Sequence, residues 1–160
     1  MSNNKHTDIL VIGSGPGGYA AAFRAADLSR EVTLVDKDPT LGGVCLNRGC
    51  IPSKTLLHIS KVLEEAESLK KMGVTFTKPT IDIDLVRDWK NKVVSQLSGG
   101  IGQMAKARSV NTIQAEATFL SDNEVQLKGE SSSEIITFDN CIIASGSSST
   151  IIPGIPFDNE

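Results

Sequence analysis

Asp8-Ile-Leu-Val-Ile-Gly-Ser-Gly-Pro-Gly-Gly18 decides how this chain folds. The apolar run before Gly13 reads as a buried strand ending in a turn. Gly13, Gly15 and Gly18 fill a G-x-G-x-x-G pattern. The alanine-rich stretch from Gly15 to Leu28 reads as a tightly packed helix, and Glu31-Val-Thr-Leu-Val-Asp36 as a second strand. A glycine-rich turn without a ligand is the plain alternative, and the pattern alone does not exclude it. Its setting argues for a dinucleotide site: a strand before, a helix after, and an acidic residue eighteen positions beyond Gly18. Gly13 would make the tight turn, Gly15 would let a pyrophosphate approach the backbone, and Gly18 would allow close helix–strand packing. The helix N-terminus suits the pyrophosphate, and Asp36 a ribose hydroxyl.

Nine residues past Asp36 begins a second informative run, Cys45-Leu-Asn-Arg-Gly-Cys-Ile-Pro-Ser-Lys54. On a regular helix, residues five apart have Cα atoms about 8.6 Å from each other. A disulfide wants them within roughly 7 Å. A bonded Cys45–Cys50 pair therefore requires a break between them, which Gly49 permits. Pro52 is tolerated in a first helical turn, so Cys50 is expected at a helix start, with Arg48 and Lys54 adding positive charge. This arrangement suggests a redox-active pair. A zinc half-site lacks further ligands close in sequence, since His58 is eight residues beyond Cys50. A structural disulfide suits small secreted proteins, and two unpaired buried cysteines remain possible. Cys141 lies in an apolar run and reads as a small buried hydrophobe.

The whole chain bounds these readings. Its 160 residues are 39% hydrophobic with a net charge of −3, enough for one domain with a real core. No basic patch points to nucleic acid, and no apolar run has the length of a membrane span. No metal site is expected, and a cytoplasmic location is. The polar start, Met1 to Asp8, does not read as a signal peptide.

Residues 54–72 read as an amphipathic helix with a stripe that includes Leu56, Leu57, Val62 and Leu69, capped by Gly73. Residues 81–106 read as a second long helix, interrupted at Gly99-Gly100 and Gly102. Val110 to Ala117 reads as one strand. Residues 124–128 and 135–138 read as a hairpin, and Cys141 to Ser145 as a last buried strand. The fold class expected is α/β, a Rossmann-like three-layer domain, incomplete, with a β-meander and two long helices.

A dinucleotide site beside a dithiol favours FAD, because a flavin can pass two electrons between a thiol pair and a nicotinamide. Here the chain resembles the flavin-dependent pyridine nucleotide–disulfide oxidoreductases. The residues that carry the likeness are Gly13 to Tyr19, Leu41-Gly-Gly-Val-Cys-Leu-Asn47, Gly49-Cys-Ile-Pro-Ser-Lys54 and the Ala144-Ser-Gly146 turn. Leu56-Leu-His58 and the stretch from Ile81 through Trp89 add to it. The cysteine motif is specific to the family; the glycine motif is not. Within the family the chain is most similar to members that oxidise protein-bound dihydrolipoamide with NAD.

The resemblance implies that Cys45 attacks the dithiol substrate and that Cys50 lies against the flavin. Lys54 would lie near the flavin ring, and Asp36 through Gly43, with Lys37 and Gly42, would line the FAD. Ala117 would meet the adenine through its backbone, and Ser145 and Gly146 the pyrophosphate and adenosine end. The implied partner is the lipoyl group of a 2-oxo acid dehydrogenase or glycine cleavage complex, in a homodimer when full-length. A glutathione- or mercuric-reductase-like enzyme and a non-catalytic flavin-binding remnant are the alternatives.

Three features depart from the family pattern. Asp36 replaces the usual Glu and has a shorter reach. Arg48 stands where a small apolar residue is usual, and is expected to act on a thiolate or on the substrate mouth. Ser147-Ser-Ser149 lacks an arginine frequent in that turn. The chain also carries no second G-x-G-x-x-G and no His–Glu acid/base pair, with His6 and His58 reading as surface residues. Residues 1–160 are therefore expected to be the N-terminal part of an FAD-binding domain, without the NAD-binding and interface domains and inactive alone.

Overall fold

The computed structural model describes residues 5–130, 132–148 and 150–156. Met1–Asn4, Ser131, Ser149 and the acidic end, residues 157–160, lie outside them.

The chain opens with β1 (Lys5–Ile12), α1 (Pro16–Asp27) and β2 (Val32–Asp36), as the glycine motif predicts. A short α2 (Gly43–Asn47) and a long α3 (Cys50–Ser68) follow, the latter tightening into a 3₁₀ turn at Leu69–Met72. Gly73 then caps it in the left-handed region at φ +85°. The long α4 (Ile83–Ala107) leads into β3 (Asn111–Gln114), β4 (Glu116–Phe119), β5 (Glu124–Lys128) and β6 (Ser133–Ile143).

Six strands form one sheet in the order β3-β2-β1-β6-β5-β4. β3, β2, β1 and the end of β6 run parallel, while β4, β5 and the start of β6 form an antiparallel meander. Two cores cover the two faces. Ala22 and Phe23 of α1 and Ala105 of α4 pack on Val11, Val32 and Leu34. On the other face, Val125, Leu127, Ile136 and Phe138 of the meander pack on Leu10 and Val35. The meander thus replaces the second helical layer, and the three-layer α/β reading holds.

Three boundaries differ from expectation. The strand expected over 110–117 is two, β3 and β4, because the chain turns at Ala115, whose amide bonds the Asp36 carbonyl at 2.9 Å. The strands expected at 135–138 and 141–145 are one continuous β6. Asp139 and Asn140 resemble a turn, yet Asn140 pairs with Ile9 and the ladder with β1 carries the strand through. The end of β6 is also not buried, with Ile143 66% exposed. Finally, α4 runs unbroken through Gly99, Gly100 and Gly102. Asp82 caps its start by accepting from the Asp84 and Leu85 amides, and burial of Ala105 holds its end. Those two anchors outweigh the cost of about 1 kcal/mol for each interior glycine.

Candidate active site

The site forms where three chain reversals meet: after β1, after β2 and after β6. Gly13 has φ +100°, and a Cβ there would lie 2.2 Å from the Ala144 carbonyl oxygen, so only glycine lets the β1 and β6 ends close together. The Ala144 amide bonds the Ile12 carbonyl at 2.7 Å, which sets Ser145 beside the glycine loop. Gly18 presses on Gly13, as its packing role requires.

Gly15 differs. A Cβ there would meet nothing within 4 Å. Gly15 is the N-cap of α1, no side chain caps that terminus, and Pro16 brings no amide hydrogen. The first bond of the helix runs from the Tyr19 amide to the Gly15 carbonyl at 3.0 Å, so the Gly17 and Gly18 amides precede it. Open space over bare backbone donors fits an anionic diphosphate.

Asp36 closes the other side. One carboxylate oxygen accepts from both the amide and the hydroxyl of Ser14, each at 2.6 Å. The other accepts from the Asp38 amide at 2.9 Å. Partial burial alone would raise this carboxyl's pKa, but the hydrogen bonds from Ser14 and Asp38, with the Lys37 charge, outweigh it and lower it below 3.8. A carboxylate offers about four acceptor positions, so these contacts leave room for one ribose hydroxyl. Lys37 lies with Gln114 to Glu116, Lys128 and Gly129 around a cavity of about 160 Å³. Asp36 and Asp38 border a second cavity of about 380 Å³, reaching Ser98 and Gly102 of α4.

The cysteine segment docks against this loop. The Gly42 amide bonds the Ser14 carbonyl at 2.9 Å, and Gly43, at φ +59°, sits so close to Gly15 that a Cβ would come within 2.7 Å of its Cα. Asn47 donates to the Thr40 and Leu41 carbonyls, and Ser98 of α4 donates to the Leu41 carbonyl at 3.2 Å. Helix α2 then breaks at Arg48 and Gly49, the latter at φ −126° and ψ −100°, and α3 begins at Cys50. The break is the one the spacing predicts.

Both cysteines are free thiols, Cys45 half-buried and Cys50 exposed. They touch. A hydrogen bond with Cys50, then partial burial, raises the Cys45 thiol, while Lys54 on α3 acts in the opposite direction. Cys141 is half-buried against the sheet core, and burial raises its thiol. Arg48, expected to act on a thiolate or on the substrate mouth, pairs through its guanidinium with Asp38.

The chain matches the pyridine nucleotide-disulphide oxidoreductase family over residues 7–160. The chain belongs to this family. Its relatives include the dihydrolipoyl dehydrogenase of Vibrio cholerae, 47% identical over 99% of this chain. The dihydrolipoyl dehydrogenase of Bacillus subtilis is 46% identical over 96% of it, and dihydrolipoyl dehydrogenase 3 of Haloarcula marismortui 49% over 96%. The chain spans about a third of the length of these relatives, 34% of the Vibrio cholerae enzyme.

Of the oxidoreductase-family residues expected at the site, Gly13, Gly15, Gly18, Asp36, Gly42, Gly43 and Ser145 come together, and Gly146 follows Ser145 at φ +71°. Cys45, Cys50 and Lys54 form the adjoining group. Ala117 stands apart on β4, paired with Leu127, two residues beyond the Ala115 that bonds Asp36. Ser14, Asn47 and Ser98 are residues that sequence reasoning missed. Ser14 is an unspecified position of the glycine motif, and the others act only through folded contacts. Among the described residues, His6, Asp8 and Asp139 also gather on the surface. An ion pair of His6 with Asp139 and a bond from the Glu31 amide to Asp8 account for that grouping. No helix among the described residues is long and apolar enough to cross a membrane.

Proposed function

We propose that residues 1–160 are the N-terminal part of the FAD-binding domain of a dihydrolipoyl dehydrogenase, and that Cys45 and Cys50 are its redox pair. The observation that carries this reading is the cysteine pair set on either side of a helix break, with its segment packed against a glycine loop whose helix start has no side-chain cap.

In this reading Gly15 and the start of α1 hold the FAD diphosphate and Asp36 one ribose hydroxyl. Lys37, Gly42 and Gly43 line the cofactor, with Ala117, Ser145 and Gly146 at its adenosine end and Lys54 near its ring. Bound FAD supplies the route by which an electron pair passes between the dithiol and NAD, whose site belongs to the remaining length of the relatives. A thiol of the substrate attacks the sulfur of Cys45, the half-buried partner, and displaces Cys50, which would face the flavin. The dihydrolipoyl dithiol loses two electrons and two protons and closes its S–S bond, while the Cys45–Cys50 S–S bond opens to two thiols. The substrate is the lipoyl group of a 2-oxo acid dehydrogenase or glycine cleavage complex, the whole protein is a homodimer, and its location is the cytoplasm.

The test is reconstitution with FAD followed by reduction with dithiothreitol. Retained yellow colour and a long-wavelength thiolate–flavin band are expected, and Cys50→Ser should lose the band while keeping the flavin. A protein that binds no flavin would overturn the cofactor assignment. Flavin without the band would overturn the roles of the sulfurs.

A further inference from the structure

The turn between the two cysteines carries a cation that is paired elsewhere. Arg48 lies between Cys45 and Cys50 in sequence, yet its guanidinium is held by Asp38. Asp38 is well placed to hold it. Its amide is bound by Asp36, and Asp36 is bound in turn by Ser14, so the carboxylate stands on an anchored loop. It is also the less exposed partner, at 26% against 60% for Arg48.

Few other ionisable groups surround the pair. Lys54 and His58 lie on the first turns of α3, and Asp36 and Lys37 on the loop with Asp38. The glycine loop, residues 13–18, carries none, nor does α2 beyond Cys45. Residues 93–105 of α4, which pack toward this corner through Ser98, carry none either. Arg48 is the cation that lies between the two cysteines in sequence, and Lys54 on α3 acts to lower the Cys45 thiol.

We propose that Asp38 is a positioning residue that holds Arg48 off the Cys45/Cys50 dithiol, insulating the pair from the cation between its members. The significance of this rests on the reading of the cysteines as a reactive pair. Its test needs neither flavin nor substrate, so the two can fail separately.

The measurement is a pH titration of thiolate absorbance on the reduced, cofactor-free protein. Asp38→Asn should lower the apparent dithiol pKa by about half a unit, as one released charge does at a solvent-rich site. Arg48→Val alone should leave it unchanged. The double variant Asp38→Asn/Arg48→Val should return it to the wild-type value, which separates release of the arginine from loss of the carboxylate's own charge. Asp38→Ser gives the same release if the amide disturbs the loop. No lowering in either Asp38 variant, a lowering that persists in the double variant, or a raised pKa in Arg48→Val would overturn the proposal.

Discussion

In the β1–α1–β2 unit, Leu10, Val11, Ala22, Leu34 and Val35 are all fully buried, whereas no residue of α3 is buried and α4 buries only Ala105. Both regions carry apolar patterns of the right period. The first pattern faces partners within its own unit or brought by β6, the meander and the end of α4. Much of the second is exposed among the described residues: Leu57 is 66% exposed, Leu85 66% and Trp89 53%. Periodicity names the apolar side of an element. It does not name what covers that side, and the energetic weight of a residue follows the cover rather than the pattern.

The strongest way to break the comparison is Gly18→Ala, because a Cβ there would lie 1.7 Å from the Gly13 carbonyl oxygen and backbone would have to move. The expected cost exceeds about 4 kcal/mol, enough to unfold a marginal domain, and circular dichroism of the purified variant checks it. A well-folded Gly18→Ala protein would show that the β1–α1 junction is looser than its geometry.

The same chemical change made in both regions sharpens the comparison. Leu34→Ala removes a fully buried side chain and should cost about 2–5 kcal/mol in urea denaturation. Leu57→Ala on α3 should cost less than about 0.5 kcal/mol. Equal losses would mean that the exposed stripe is covered in solution.

The smallest expected effect is pH-dependent. The Asp36 carboxyl is lowered below 3.8 in the folded chain, so it binds protons less readily than in the unfolded one. Its stabilisation is fully present above the unfolded value and is lost as pH falls through the folded one. Asp36→Asn should cost about 1–2 kcal/mol at neutral pH, from weakened bonds to Ser14 and Asp38, and should flatten the acid limb of a stability–pH curve. An unchanged acid limb would show that Asp36 keeps an ordinary pKa.

Much of the site was legible because its signals are local. Gly13, Gly15 and Gly18 are required by backbone geometry within one turn. The break before Cys50 follows from the reach of a disulfide against the rise of a helix. What was misread depended on neighbours distant in sequence. Asp139-Asn140 looks like a turn until β1 pairs with it, and Ala115 looks like mid-strand until Asp36 bonds its amide. The pairing of Arg48 with Asp38, ten residues away, had no signal in the spacing either.

The sequence by itself determined the dinucleotide-type opening unit, the acidic end of β2 and the place of the cysteine pair. Each follows from residues in contact along a short stretch of chain, where spacing and backbone freedom leave few alternatives. Only the tertiary structure decided that the meander covers the second face of the sheet, that Ser14 locks Asp36, and that Asp38 claims Arg48. Those outcomes are choices among partners brought together by folding, and the free energy of a contact depends on which partner arrives.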